Sequence, residues 1–173
     1  MRWLYRARQF WLALAARPDT ALRTEVQAAL SPALWRLFQG MQPSEQVHAW
    51  QVYRRLRSQG ETDPDLLAAA LLHDAGKQRC PLSAWERALI VLGGRLFPRL
   101  SQRWGEADDC SAWRRAFVTA AQHPAWGAEM AQGAGASALT VALIRRHQQA
   151  LPAGSVDPED ALLCKLQRVD DKS

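Results

Sequence analysis

The chain has 173 residues, of which 48% are hydrophobic and 23% charged, and its formal net charge is +5. This composition excludes a disordered chain and describes a globular protein that is long enough to bury a core as one domain. Alanine, leucine, arginine and glutamine dominate and β-branched residues are scarce, which predicts an all-α fold. The positive charge suits an anionic partner such as a nucleotide, although scattered arginines usually only solvate helix surfaces.

The N-terminal part, residues 1–40, is predicted to be a helical extension of a functional domain over 41–173. Its first predicted helix, residues 3–16, carries arginines ahead of an apolar run that is short for a signal peptide and overlaps the cleavage site such a peptide would need. No segment approaches the roughly 20 apolar residues that span a bilayer. We interpret residues 3–16 as an amphipathic helix that packs on the domain, with peripheral membrane contact through residues 1–16 as the alternative.

Proline, glycine and capping residues mark the remaining helices in chain order. The predicted helices cover residues 20–30, 32–39, 44–58, 64–75, 83–96, 110–122, 124–132, 137–150 and the segment from 157 onward. Ser44 and Asp63 are predicted N-caps, Ser83 opens a capping box, and Pro124 is predicted to start a helix. Residues 97–109 are predicted to be irregular.

The cysteines indicate the redox environment. Cys80, Cys110 and Cys164 are odd in number and form no C-x-x-C pair. They favour a reducing compartment over a disulfide framework, and the expected location is therefore cytoplasmic.

All four histidines and two aspartates occupy positions suited to a buried metal site. Side chains three, four or seven residues apart share a helix face, so His48 continues the apolar row of Val52 and Leu56. Three more of these side chains extend apolar stripes in the same way: His73, His147 and Asp170. A single histidine on such a face is usually a core or capping residue. Burying six polar groups without partners costs about 1–3 kcal/mol each, and a metal ion removes that cost by satisfying them together.

The dipeptide His73-Asp74 is the centre of the predicted site. Adjacent helical residues point about 100° apart, so at a helix end the pair can embrace one ion from two directions. A carboxylate can bridge two ions, whereas an imidazole cannot. Gly76 is expected to let the backbone turn sharply, and Lys77 is a natural phosphate contact.

These residues resemble the HD superfamily of metal-dependent phosphohydrolases over roughly residues 41–173. The match to its H…HD…D pattern consists of His48, the run Ala68–Lys77 that ends in HDAGK, and Asp170. His123 begins a segment similar to the HP-x-x-G-x-E of the HD-GYP branch, and His147 stands where the next ligand falls. No HHE triplet or GYP motif follows, so a cyclic dinucleotide phosphodiesterase is not expected. The six-ligand pattern also resembles small bacterial hydrolases of dinucleoside polyphosphates.

The resemblance implies one HD-type helical bundle with a dinuclear centre. One ion would be held by His48, His73, Asp74 and Asp170, and a second by Asp74, His123 and His147. Two ions about 3.5–4 Å apart could share a hydroxide in line with a phosphorus atom. Asp74 and Lys77 are the expected catalytic residues, and Asp170 fits the last ligand position better than Asp171. Mixed imidazole and carboxylate ligands suit Fe, Mn, Zn, Co or Ni better than Mg alone.

The expected activity is hydrolysis of a phosphoester or phosphoanhydride in a nucleotide or small phosphorylated metabolite. The alternative is a helical signalling or interaction module that keeps metal without turnover; the intact Lys77 and six ligands favour the enzyme. No nucleotide-binding loop motif and no recognition helix is marked, so specific nucleic-acid binding is not predicted. The eight tryptophans are interpreted as core or interface fillers. Substrate, oligomeric state and the role of residues 1–40 are not determined by the sequence.

Overall fold

The computed structural model describes residues 17–106, 112–152 and 154–172. In these ranges the chain forms nine α-helices, two 3-10 helices and no strand, which confirms the all-α prediction. The α-helices are α1 (Thr20–Ala29), α2 (Pro32–Gln39), α3 (Pro43–Ser58), α4 (Pro64–Leu72), α5 (Ala84–Leu96), α6 (Pro98–Gly105), α7 (Arg115–Gly133), α8 (Ala138–Arg146) and α9 (Pro158–Asp170). The 3-10 helices cover Ala75–Arg79 and Ala112–Arg114. The predicted helix 3–16 lies outside the described residues. None of the described helices combines the length and apolarity needed to cross a membrane.

Capping side chains followed by proline start several of the helices. The Asp63 carboxylate accepts from the backbone N–H groups of Asp65 and Leu66, both at 2.9 Å, and Pro64 is the first helical residue. The capping box at Ser83 is likewise confirmed. The cap predicted at Ser44 is wrong, because Pro43 presets the helical φ and α3 begins one residue earlier with no side-chain cap.

Two helices end before their predicted limits, and each ends beside a histidine. Helix α4 ends at Leu72 rather than near Ala75, so that His73 is its C-cap and the chain continues as a 3-10 helix. Helix α8 ends at Arg146, with His147 as its C-cap, rather than at residue 150. The two histidines therefore sit where the chain leaves a helix.

Helix α7 runs through Pro124 without ending, although Pro124 was predicted to start a separate helix. A proline inside a helix removes one backbone hydrogen bond and is tolerated only where packing compensates. The residues around it are buried, including His123, Trp126 and Ala128. Tertiary packing therefore keeps α7 continuous.

Helix α6 covers most of residues 97–109, which were predicted to be irregular. Its Trp104 ring packs against Phe117 of α7, with ring centroids 4.9 Å apart. A Cβ added at Gly105 would lie only 2.7 Å from that of Ala121, so α6 and α7 approach closely at this glycine. Packing on α7 makes this segment helical, and local sequence patterns do not encode that packing.

The hydrophobic core surrounds α4. Leu66, Ala70 and Leu71 of α4 are fully buried, and α3, α8 and α9 pack around this helix. Leu22 of α1 and Phe38 of α2 belong to the same core cluster. Helices α1 and α2 thus share one core with the helices after residue 40. The predicted division into an extension, residues 1–40, and a domain, residues 41–173, stays a prediction.

The cysteines differ in state. Cys80, which follows the first 3-10 helix, is disulfide-bonded, whereas Cys164 in α9 carries a free thiol. The expectation of reduced cysteines is therefore wrong for Cys80. Because disulfides persist mainly in oxidising compartments, the cysteines no longer support the expected cytoplasmic location, which stays a prediction.

Candidate metal centre

Five helices bring the six predicted ligand side chains to one place. Helix α3 carries one of them, the ends of α4 and α8 carry three, and α7 and α9 carry one each. These side chains are His48, His73, Asp74, His123, His147 and Asp170. They are far apart in sequence, so only the packing of the helices around α4 gathers them.

The first half of the cluster lies at the C-terminus of α9. The Nε2 atom of His48 lies 2.8 Å from Oδ1 of Asp170, and the Nε2 atom of His73 lies 3.5 Å from the same oxygen. The side chain of His73 is 1% exposed, whereas His48 and Asp170 are 30% and 28% exposed. Asp171 is exposed and is not in the cluster. This half therefore faces solvent on one side.

The second half is buried and meets the first at Asp74. The Oδ1 atom of Asp74 lies 3.4 Å from Nε2 of His123, while its Oδ2 atom lies 3.7 Å from Nε2 of His73. The Nε2 atoms of His123 and His147 are 3.2 Å apart. The two oxygens of one carboxylate thus face the two halves of the cluster.

Backbone carbonyl groups orient the three buried imidazoles. In each ring Nδ1 lies within hydrogen-bond distance of a carbonyl oxygen, which can only accept, so Nδ1 carries the proton. The acceptors for His73, His123 and His147 are the carbonyl oxygens of Ala70, Thr119 and Ile144, at 2.9, 2.9 and 2.8 Å. The Nε2 atom of each ring is thereby aimed into the cluster. Donation of the other ring N–H to a backbone carbonyl is typical of histidines that bind metals.

Pro124 contributes to the orientation of His123. Proline has no N–H, so the carbonyl of Ala120, four residues earlier, lacks its usual helical donor. The Nδ1 atom of His123 lies 3.1 Å from that carbonyl oxygen. The His123-Pro124 dipeptide therefore supplies both the imidazole and an acceptor that holds it.

The Nε2 atoms of the buried imidazoles have few donors within the protein, among them the amide nitrogen of Gln148, 3.4 Å from Nε2 of His123. The Nε2 atom of His73 is buried and has no hydrogen-bond partner. With their protons on Nδ1, His123 and His147 also point lone pairs at each other. A divalent transition metal that replaces the proton on His73 could bind all three nitrogens, so the donor set fits such an ion.

Burial and neighbouring charges shift the pKa values of the side chains in the cluster. Burial lowers the pKa of His73, but the carboxylates of Asp74 and Asp170 outweigh it and raise that pKa to about 9. Burial, helped by the neighbouring His73 and His123, lowers the pKa of His147 to about 3. Burial alone would raise the pKa of Asp74, yet Lys77 and His73 hold it well below its ordinary value. Asp74 is therefore ionised and His147 neutral near pH 7.

The 3-10 helix after Asp74 places Lys77 and requires Gly76. The Nζ atom of Lys77 donates to Oδ2 of Asp74 at 2.6 Å. A Cβ on Gly76 would lie 2.0 Å from the carbonyl oxygen of His123 and 2.6 Å from the backbone nitrogen of Gly127. The φ angle of Gly76 is not positive. The predicted role in a sharp turn is therefore wrong: Gly76 allows the 3-10 helix to touch α7.

A buried carboxylate beside the cluster was missed in the sequence. Glu45 is 4% exposed, its Oε1 atom accepts from Nη2 of Arg87 at 2.8 Å, and its Oε2 atom is buried without a partner. Burial raises the pKa of Glu45 despite the opposing charge of nearby Lys77. Its position one helical turn before His48 is the signal that could have revealed it. Acidic residues in the first turn of a helix are so common that the signal is weak.

Among the residues that the structure describes, two groups of side chains have ligand atoms close enough together to hold a metal ion. They are His48, His73 and Asp74, and Asp74, His123 and His147. Within each group the atoms lie within 4.8 Å of one another. Asp74 is common to both groups. No protein-family model, curated protein or solved structure matches this chain. The resemblance to the HD superfamily therefore stays a prediction from the motif.

Proposed function

We propose that this protein is a metal-dependent phosphohydrolase of the HD type. Its substrate would be a phosphoester or phosphoanhydride of a nucleotide or small phosphorylated metabolite. The observation that carries the proposal is the convergence of three carbonyl-oriented imidazoles on the two oxygens of Asp74. Structural histidines do not need their Nε2 atoms aimed at one another in a buried space.

The ligand groups divide around Asp74. His48, His73 and Asp170 would hold one ion with it, and His123 and His147 would hold the other. Mixed imidazole and carboxylate donors suit Fe, Mn, Zn, Co or Ni. When bound, such ions supply Lewis-acid activation of water and of the phosphoryl group.

Exposure decides from which side a substrate arrives. Among the side chains of the centre, His48, Asp170 and Lys77 keep 30%, 28% and 28% of their surface exposed, whereas Asp74 keeps 6%. A phosphate can therefore reach the cluster past partly exposed side chains. There the Lys77 ammonium can bind a phosphate oxygen while it remains close to the bridging carboxylate.

The test begins with metal content and turnover. The full chain, loaded separately with Mn, Fe, Co, Ni and Zn, is assayed against phosphomonoesters, phosphodiesters and phosphoanhydrides of nucleotides. We expect metal-dependent hydrolysis of at least one class, abolished by a chelator and restored by the metal. Bound metal with no turnover on any class would contradict the proposal and favour the alternative, a metal-binding module without catalysis.

A matched pair of variants separates a ligand from its neighbour. Asp170→Ala removes the carboxylate that faces His48 and His73, whereas Asp171→Ala removes the exposed carboxylate next to it. We expect Asp170→Ala to lower both metal content and turnover and Asp171→Ala to change neither. Equal behaviour of the two variants would remove Asp170 from the proposed ligand set.

A further inference from the structure

The large apolar side chains that are exposed concentrate in one part of the molecule. Of the seven in the described residues, all but Val156 lie between residues 85 and 113. They are Trp85, Leu92, Leu96, Phe97, Leu100 and Trp113. Soluble proteins rarely expose contiguous apolar patches of this kind, and such patches mark interaction sites.

Helix α5 presents one apolar stripe to solvent. Trp85, Leu92 and Leu96 are seven and four residues apart, so they share a face, and they are 64%, 56% and 63% exposed. Phe97, which links α5 to α6, and Leu100 of α6 are exposed as well. We call α5 and α6 together the hairpin, residues 84–105. The hairpin turns this surface away from the core.

The exposed charges described within the hairpin are positive, and the exposed carboxylate of Glu106 follows directly after it. Arg99 and Arg103, one helical turn apart on α6, are exposed and have no ion-pair partner within the described part of the chain. The acidic residue of the hairpin, Glu86, is 6% exposed and binds Ser83 and Arg115. Beside the hairpin, the guanidinium of Arg114 lies over the ring of Trp113, 5.4 Å from its centroid.

We propose that the hairpin docks on an anionic lipid bilayer. Leucine and phenylalanine side chains enter the boundary between headgroups and acyl chains, tryptophan prefers that interface, and exposed arginines attract anionic headgroups. This surface does not depend on the proposed hydrolase activity, because none of its residues belongs to the metal centre.

The charge pattern favours a bilayer over a second copy of the chain. A two-fold dimer places the same patch against itself, which would bring two exposed arginines of each copy, Arg99 and Arg103, together with one exposed carboxylate of each, Glu106. Anionic headgroups instead supply the missing negative charge across the whole surface. The apolar stripe and the arginines are then satisfied by one partner.

Vesicle sedimentation with the full chain tests the proposal. We expect binding to vesicles of phosphatidylcholine with phosphatidylglycerol, little binding to phosphatidylcholine alone, and weaker binding at high salt. Leu92→Ser with Leu96→Ser is expected to weaken binding at least about tenfold, because it removes apolar area from the stripe. Arg99→Gln with Arg103→Gln should weaken it roughly fivefold for each arginine.

The matched control is Arg23→Gln with Arg57→Gln. It removes the same charge from exposed positions on α1 and α3, helices on which no large apolar side chain is exposed within the described residues. We expect this control to bind vesicles like the unaltered protein. All variants should keep the helical circular dichroism spectrum and metal content, since every altered side chain is exposed.

Three results would overturn the proposal. Failure of the unaltered chain to bind anionic vesicles is the first. Binding that both hairpin variants leave unchanged is the second, because it would assign the contact to another segment. The third is a dimer in analytical ultracentrifugation that the leucine variant dissociates, since the stripe would then be a contact between copies.

Discussion

The metal centre and the α5–α6 hairpin depart in opposite directions from the usual arrangement of apolar interior and polar surface. Around Asp74 the interior holds imidazoles and a carboxylate, whereas on the hairpin the surface holds tryptophan, leucine and phenylalanine. Burying the polar groups costs stability, whereas the exposed apolar side chains leave a surface that favours association. The comparison teaches that each region has groups that a partner could satisfy, a cation for the metal centre and, on our proposal, a bilayer for the hairpin.

The two regions also differ in how firmly they are held. Buried backbone groups fix the metal centre: carbonyl oxygens bind the imidazoles, and Gly76 lets two segments touch. On the hairpin, Trp104 packs on Phe117 of α7, but the apolar stripe of α5 faces solvent. Substitutions at the metal centre should therefore have large effects, and substitutions on the hairpin surface should affect docking alone.

Asp74→Ala is expected to have the largest effect. It removes the carboxylate that faces both halves of the centre, so that turnover and most of the metal content should be lost while the helices persist. Vesicle binding should not change, which separates the two regions. Metal analysis, assays of phosphate release and circular dichroism measure the metal content, the turnover and the helix content. An Asp74→Ala protein that keeps its metal and turnover would show that the bridging role is wrong.

Gly76→Ala should destabilise the fold around the centre. The new Cβ would collide with the backbone of α7, which cannot move as a flexible side chain would. We expect the free energy of unfolding to fall by about 3 kcal/mol or more. The control is Gly133→Ala, where no atom lies within 4 Å of the added Cβ. In urea melts the control should be neutral or stabilised by up to about 1 kcal/mol, and equal behaviour of the two variants would contradict the close approach.

Pro124→Ala should separate stability from metal affinity. It restores an N–H that can bond to the carbonyl of Ala120 and compete with His123 for it. We expect the free energy of unfolding to rise and metal affinity to fall about tenfold, as for other losses of groups that orient a ligand. Pro43→Ala at the first position of α3 is the control, because no carbonyl is freed there. Unchanged affinity in Pro124→Ala would show that the Ala120 carbonyl does not orient His123.

The pH dependence of metal binding gives the smallest predicted effect. The pKa of His73 is raised to about 9, so its imidazole is protonated at pH 7.5 and must become neutral to bind a metal. Binding should release about one proton from His73, and affinity should rise as pH increases toward 9. Titration calorimetry in buffers of different ionisation enthalpy measures the release. Binding without proton release would show that His73 is not a ligand.

The sequence predicted the helices best where local chemistry determines them. Asp63-Pro64 and the capping box at Ser83 define helix starts through neighbouring residues alone. Apart from the cap at Ser44, where the local effect of Pro43 decides, the errors fall where tertiary contacts decide. Packing against α7 makes α6 helical, and burial around Pro124 keeps α7 continuous.

For the centre, residue types and spacing were enough to name the six side chains that the structure gathers. Their mutual distances depend on how five helices pack, which no local pattern encodes. The carbonyl acceptors for the imidazoles and the pair of Glu45 with Arg87 were missed for the same reason. Every residue has a backbone carbonyl, so residue type does not show which one accepts from an imidazole. Arg87 lies on a different helix from Glu45, so sequence spacing does not reveal that they pair.

The most direct test of the account is the number of divalent ions that the chain binds. Metal-free protein is titrated with Mn²⁺ and analysed by elemental mass spectrometry after gel filtration, together with His123→Ala and Asp74→Ala. We predict two ions per chain in the unaltered protein, a loss of one in His123→Ala, and a loss of most of the metal in Asp74→Ala. A chain that retains no ion, or variants that retain the full amount, would contradict the proposed centre.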